Sequence, residues 1–139
     1  MRRYGIPFMV LVLLVALSTI GIADGLIQAQ RNLKYEDISV GDGKRAVPGK
    51  IAKIHLKAWM DENAKKGAML FDTYAENFPL SFKIGTKRIV DGLNLGINGM
   101  RVGGKRRLFI PPELSPKMAS GEFPANTALI FEVELLGLE

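Results

Sequence analysis

The sequence predicts an α+β domain, an antiparallel sheet wrapped around one short helix, with an apolar helix at its N-terminus. Three observations carry this. Leu129, Phe131, Val133 and Leu135 alternate with Ile130, Glu132, Glu134 and Leu136, the two-residue period of a strand that buries one face. Ile54, Leu56 and Ala58 alternate in the same way with His55, Lys57 and Trp59. Between these strands the period changes, because Ile89, Leu93 and Ile97 recur four residues apart, as on a helix with one buried stripe. Antiparallel strands around a single short helix make an α+β class.

Residues 1–29 differ in kind from the rest. Arg2 and Arg3 precede a run from Ile6 to Ala23 that holds no charge, and Asp24 ends it. A basic start and an apolar run read as a secretory signal or an N-terminal anchor. At ~1.5 Å per residue the run makes a helix of ~27 Å, just short of a ~30 Å hydrocarbon core, so length does not separate the two. Ala23 after Gly21, or Ala29 after Ile27, would serve as cleavage points. Either way the arginines stay on the cytoplasmic side and residues 30–139 are exported, to a periplasm or a thylakoid lumen.

The remaining elements follow in order. Leu33–Ile38 reads as a brief strand running into the turn Val40-Gly-Asp-Gly43, and Pro48-Gly49 is another turn. A polar loop from Asp61 to Gly67 leads to Met69–Asp72. Pro79–Gly85 is a strand ending in glycine, and the glycines after it keep the helix around Leu93 short. Arg107–Ile110 is a strand stopped by Pro111-Pro112.

Composition excludes several chemistries. There is no cysteine, and His55 is the one histidine, so thiol catalysis and a histidine or thiolate metal site are ruled out. No cofactor is expected. The net charge is +5, and its densest cluster, Lys105-Arg106-Arg107, has no aromatics interleaved to stack bases. Nucleic acid is therefore not an expected partner; the cluster reads as a solvated strand face or as one that meets anionic lipid.

Several blocks of the exported part resemble, in order and at nearly the expected spacing, the FKBP family of peptidyl-prolyl isomerases. They are Leu33–Gly43, Phe71-Asp72, Met100–Leu114 and Leu129–Leu136, so the likeness spans residues 32–139. It implies a twisted antiparallel sheet curled around a short helix, with a shallow apolar pocket between them, in a monomeric domain. It also implies proline-containing polypeptides or a partner protein as ligand, beside the membrane itself if the apolar helix is kept.

Residue by residue, the resemblance assigns Phe71 to the pocket wall, Asp72 to its polar rim and Phe131 to the aromatic of the last strand, the three expected to act on the prolyl bond. Ile89 and Val90 match the aliphatic pair whose backbone meets the peptide, and Phe123 the apolar residue before the last strand. Leu56, Leu80 and Leu93 stand where the family usually has Tyr, Phe and Trp. The segment Glu113–Phe123 lacks the Ala-Tyr-Gly turn that supplies a hydroxyl, and the hairpin between Trp59 and Phe71 is longer. The expectation is a desolvating pocket with fewer donors, hence slow isomerase activity and weak binding of the family's macrolide ligands. The same substitutions would also suit a non-catalytic docking module.

Overall fold

The computed structural model describes residues 32–86, 89–116 and 123–139. The expected N-terminal helix and the Glu113–Phe123 turn fall wholly or largely outside them. Among the described residues no helix is long and apolar enough to cross a membrane.

The elements are β1 (Lys34–Ser39), β2 (Ile51–Glu62), β3 (Lys65–Asp72), α1 (Thr73–Glu76), β4 (Leu80–Lys83), α2 (Asp91–Ile97), β5 (Lys105–Ile110), a 3₁₀ turn (Pro112–Leu114) and β6 (Leu129–Leu138). Every strand pairing is antiparallel, in the order β1-β5-β6-β2-β3. β4 joins the same side of β2 as β3, lower down, with Ile51 opposite Lys83 and Ile54 opposite Leu80. One face of the sheet buries Ile54, Leu56, Leu108, Ile110, Phe131, Val133 and Leu135, and Leu93 and Ile97 of α2 complete that core. Among the described residues its members run from Leu33 to Leu138.

α2 sits unusually close to the sheet. Gly92 and Gly96 face β5, and a Cβ at either would come within 2.5 Å of the Ile110 or Leu108 side chain. One helical turn separates the two glycines, so both point the same way and let the helix backbone lie on the strand. The buried Arg106 then ties off the helix. Its Nη1 donates to Gly96 O (2.9 Å) and Asn98 O (3.2 Å), carbonyls at the helix's C-terminal end that lack intrahelical partners. Its Nε donates to Asp37 of β1 (2.7 Å), and Tyr35 stacks on the guanidinium.

Three local expectations are corrected. The segment Asp61–Gly67 is a tight hairpin, turned by Asn63 and Ala64, both with positive φ (55° and 65°), while Asp61 Oδ1 accepts from Ala64 N. Two such residues in a row give the turn whose twist matches the strands. The helix starts at Asp91, so Ile89 lies before it, and α1 adds a single turn directly after β3. Lys105-Arg106-Arg107 is not a free basic face: Arg106 is buried, Arg107 is bonded to Glu132 and Glu36, and Lys105 lies 3.7 Å from Glu134.

Candidate functional site

The end of β3 delivers Phe71 and Asp72 beside the middle of β2, where Ala58 faces Phe71 and Lys57 faces Asp72. The chain then leaves the sheet in α1, and the Asp72 side chain accepts from Tyr74 N at 2.9 Å. The carboxylate thus caps α1, satisfying one of its free amides. Thr73, next in sequence, fills the gap on the β2 edge between the β3 and β4 pairings. Its hydroxyl accepts from Leu56 N (2.9 Å) and lies 2.7 Å from His55 Nδ1. A short buried side chain here does what a strand would do elsewhere: it gives a buried amide its partner.

Phe71, Phe123 and Phe131 form one aromatic wall. The Phe71 and Phe123 centroids are 6.1 Å apart, those of Phe123 and Phe131 5.7 Å, and both pairs are tilted. Tilted rings at this spacing attract through their quadrupoles as well as by burial. Phe131 is buried, whereas Phe71 and Phe123 are half-buried and pack on the core from its edge. Leu56 and Leu93 lie in the core, 2 % and 0 % exposed. Leu80, Ile89 and Val90 are half-buried at its margin, and Leu80 and Ile89 line an open cleft of about 570 Å³ with Phe82 and Thr86.

Asn94 of α2 holds the loop that leads to Ile89 and Val90. Its Oδ1 accepts from Gly85 N (2.9 Å) and its Nδ2 donates to Thr86 O (2.7 Å). Gly85 has φ +92°, where a side chain would be strained, so the loop's shape depends on that glycine as well. Sequence reasoning passed over both Thr73 and Asn94. The one signal for Asn94 was a polar amide inside an otherwise apolar and glycine-rich helix; Thr73 had none beyond standing next to Phe71-Asp72.

Tyr74, the tyrosine nearest in sequence to Leu56 and Phe71, does not face the aromatic wall. Tyr74 turns to the outer sheet face, stacks on His55 (centroids 4.1 Å apart) and donates to Glu134. Burial first, and then the hydrogen bond to the Glu134 carboxylate, push its hydroxyl pKa well above the ordinary tyrosine value. Trp59 is also on that face but is 8 % exposed, with the Lys66 ammonium 4.2 Å above its ring.

Comparison with known proteins agrees with this fold. The family model for FKBP-type peptidyl-prolyl cis-trans isomerase matches residues 43–136. This chain belongs to that family. It is 38% identical over 108 residues to an FK506-binding protein of Neisseria meningitidis, across 76% of this chain and 94% of that one. FKBP15-3 of Arabidopsis thaliana is 35% identical over 119 residues, covering 84% of this chain and 76% of its own length. Of the longer Arabidopsis FKBP53 the chain spans 22%. The crystal structure of AtFKBP13 superposes with a TM-score of 0.66 at 33% identity, covering 78% of this chain and 94% of that one. A domain of about this extent makes up nearly all of the Neisseria protein. FkpA from Escherichia coli, at 21% identity and TM-score 0.66, shares the fold. Members of this family are prolyl isomerases, and their domains bind proline-containing peptides.

Proposed function

We propose that the chain is a folding helper that isomerises prolyl bonds slowly, through an apolar site walled by Phe71, Phe123 and Phe131. The observation that carries this is the tilted aromatic wall, with two of its rings at the edge of the core. Rotation about a prolyl bond is opposed by amide resonance, a barrier of ~18–20 kcal/mol. No nucleophile is needed to lower it. A water-poor cavity favours the twisted amide, whose charge separation is reduced, over the planar one. Phe71 and Phe123 supply that environment, while Ile89 and Val90 present backbone for an extended peptide.

Orientation is the weaker half of this site. The Asp72 carboxylate is occupied by α1, and the Tyr74 hydroxyl faces the other side of the sheet. Leu93 replaces a flat ring with a flexible aliphatic chain, so a bound proline loses a stacking surface. These features reduce rate while leaving desolvation in place. They also favour a second reading, a non-catalytic module that docks on a partner protein through the same fold.

A protease-coupled isomerisation assay on residues 30–139 decides between them. Acceleration above the uncatalysed rate, lowered about tenfold or more by Phe71→Ala in a variant that still unfolds cooperatively, is expected for the enzyme. A rate equal to the uncatalysed one, or one indifferent to Phe71→Ala, would sink it. Export, by way of residues 6–23 as signal or membrane anchor, belongs to the same proposal. N-terminal sequencing of protein recovered from membranes tests it: a start near Asp24 or Gln30 means a cleaved signal, a start at Met1 an anchor.

A further inference from the structure

The sheet end where β4 finishes and β5 begins carries cations that the fold does not use. Lys44, Arg45, Lys50, Lys83 and Arg101 are exposed, and none forms an ion pair among the described residues. The backbone gathers them. Val102 N donates to Lys44 O (3.0 Å), Arg45 bridges to Arg101, Ile84 N donates to Lys50 O (2.9 Å), and Lys83 pairs with Ile51. Asp42 and Glu139 also lie at this end, and Asp37 and Glu134 beside it are paired with Arg106 and Lys105, so among the described residues the five cations outnumber the carboxylates left to meet them.

Folding gives no reason for this arrangement. Arg45 and Arg101 stand opposite each other across an antiparallel bridge, where like charges destabilise. Among the described residues the Arg101 side chain donates to the carbonyl of Gly43 (3.2 Å) and meets no carboxylate. The two arginines and Val40 line a cleft of about 160 Å³, and Asp37 in its wall is already paired with Arg106. Aliphatic side chains interrupt the same surface: Val40 is 78 % exposed, Val47 39 % and Ile51 44 %.

We propose that this basic pole docks on the headgroup layer of an anionic phospholipid bilayer. Cations on flexible stems meet lipid phosphates, and the aliphatic side chains between them enter the acyl boundary. Nucleic acid would use the charge but needs aromatic platforms, and the exposed rings of Tyr35, Tyr74 and Phe78 belong to other parts of the surface. An acidic polypeptide would use the charge and leave the three aliphatics unexplained. Ile51 and Lys83 also line the cleft with Leu80 and Ile89, but the surface includes none of Phe71, Phe123 and Phe131, and headgroup binding requires no catalysis at that wall.

The test uses residues 32–139, which hold the core formed by the described residues, and sedimentation with vesicles of phosphatidylcholine alone or mixed equally with phosphatidylglycerol. Binding is expected to the mixed vesicles only, fading as sodium chloride is raised to ~0.5 M. Lys44→Ala, Arg45→Ala and Lys50→Ala should each lower partitioning roughly fivefold, and Lys65→Ala, at the hairpin turn, should not. The proposal is overturned by no binding to anionic vesicles, by equal binding to neutral ones, or by indifference to the three substitutions. Competition that strips the protein from vesicles onto single-stranded DNA or polyglutamate overturns it as well.

Discussion

Arg106 shows how one residue can hold three elements at once. Strand alternation puts it on the same face as Leu108 and Ile110, so its guanidinium has to find partners inside the protein. It finds them on β1 and at the end of α2, with Tyr35 as a lid. Replacement by Met keeps much of the volume but leaves the Gly96 and Asn98 carbonyls without a donor and Asp37 without its cation. We expect a loss of about 3 kcal/mol, since removing the buried guanidinium leaves two helix-end carbonyls without a donor as well as Asp37 without its cation. Asp37→Asn should cost less, about 1 kcal/mol, because the Asp37 side chain is 35% exposed and its Arg106 partner keeps both carbonyls. Urea midpoints of the two variants check the order; equal losses would mean that the helix-end carbonyls contribute nothing.

At the scale of elements, the approach of α2 to β5 sets how deep Leu93 lies, and so what the site has for a floor. Gly96→Ala should raise intrinsic helix stability by about 1 kcal/mol. Against this, its Cβ would meet Leu108 Cδ1 and Cδ2 at 2.5 and 2.6 Å. Leu108 is fully buried and cannot swing away, so overpacking of about 1–3 kcal/mol outweighs the gain. Thermal unfolding should show a lower Tm for Gly96→Ala. Adding Leu108→Ala should then cost less than Leu108→Ala alone, because the new methyl fills part of the space. Additive losses would show that the two side chains do not meet.

The clearest strands in the sequence were those with one face buried and the other wet, because only there does period two leave a mark; β6 and the middle of β2 are the examples. The β2–β3 hairpin tip projects past the core and is polar on both faces, so nothing in Asp61–Lys66 marked it as strand except Asn63 at its turn. The aromatic wall was legible one residue at a time, through family likeness. That Phe71, Phe123 and Phe131 touch is a product of sheet register, which no local pattern contains. Arg106 carried a signal in its parity with Leu108, but the neighbouring Lys105 and Arg107 made the three look like one solvated cluster. The clamp on Gly85 and Thr86 by Asn94, and the patch on the β2 edge by Thr73, depend on pairings that exist only after the sheet has formed.

Across the whole molecule, a chain of charges ties the outer face of the sheet together. Lys66 of β3 lies 3.1 Å from Glu132 of β6, Glu132 accepts from Arg107 of β5, and Arg107 also pairs with Glu36 of β1. Partial burial of Glu132 works against its ionised form, but hydrogen bonds from Lys66 and Arg107 outweigh this and hold its pKa below the ordinary carboxylate value. A carboxylate whose folded pKa is depressed adds stability above its unfolded pKa and loses it as pH falls through the folded one. Glu132 should therefore support the fold fully at neutral pH, begin to lose that support at about pH 4, where an unfolded glutamate takes up its proton, and lose the rest as the pH falls through its lower folded pKa. Glu132→Gln keeps the shape and removes the charge. At pH 7 and low salt it should cost about 1 kcal/mol, as a partly exposed network allows, and less in molar salt. As the pH falls below about 4 the gap between variant and parent should narrow, and it closes only once the folded carboxylate is itself protonated. Unfolding free energies measured from pH 7 to pH 3 test this. A gap that stays constant across the range would mean that Glu132 contributes through packing alone.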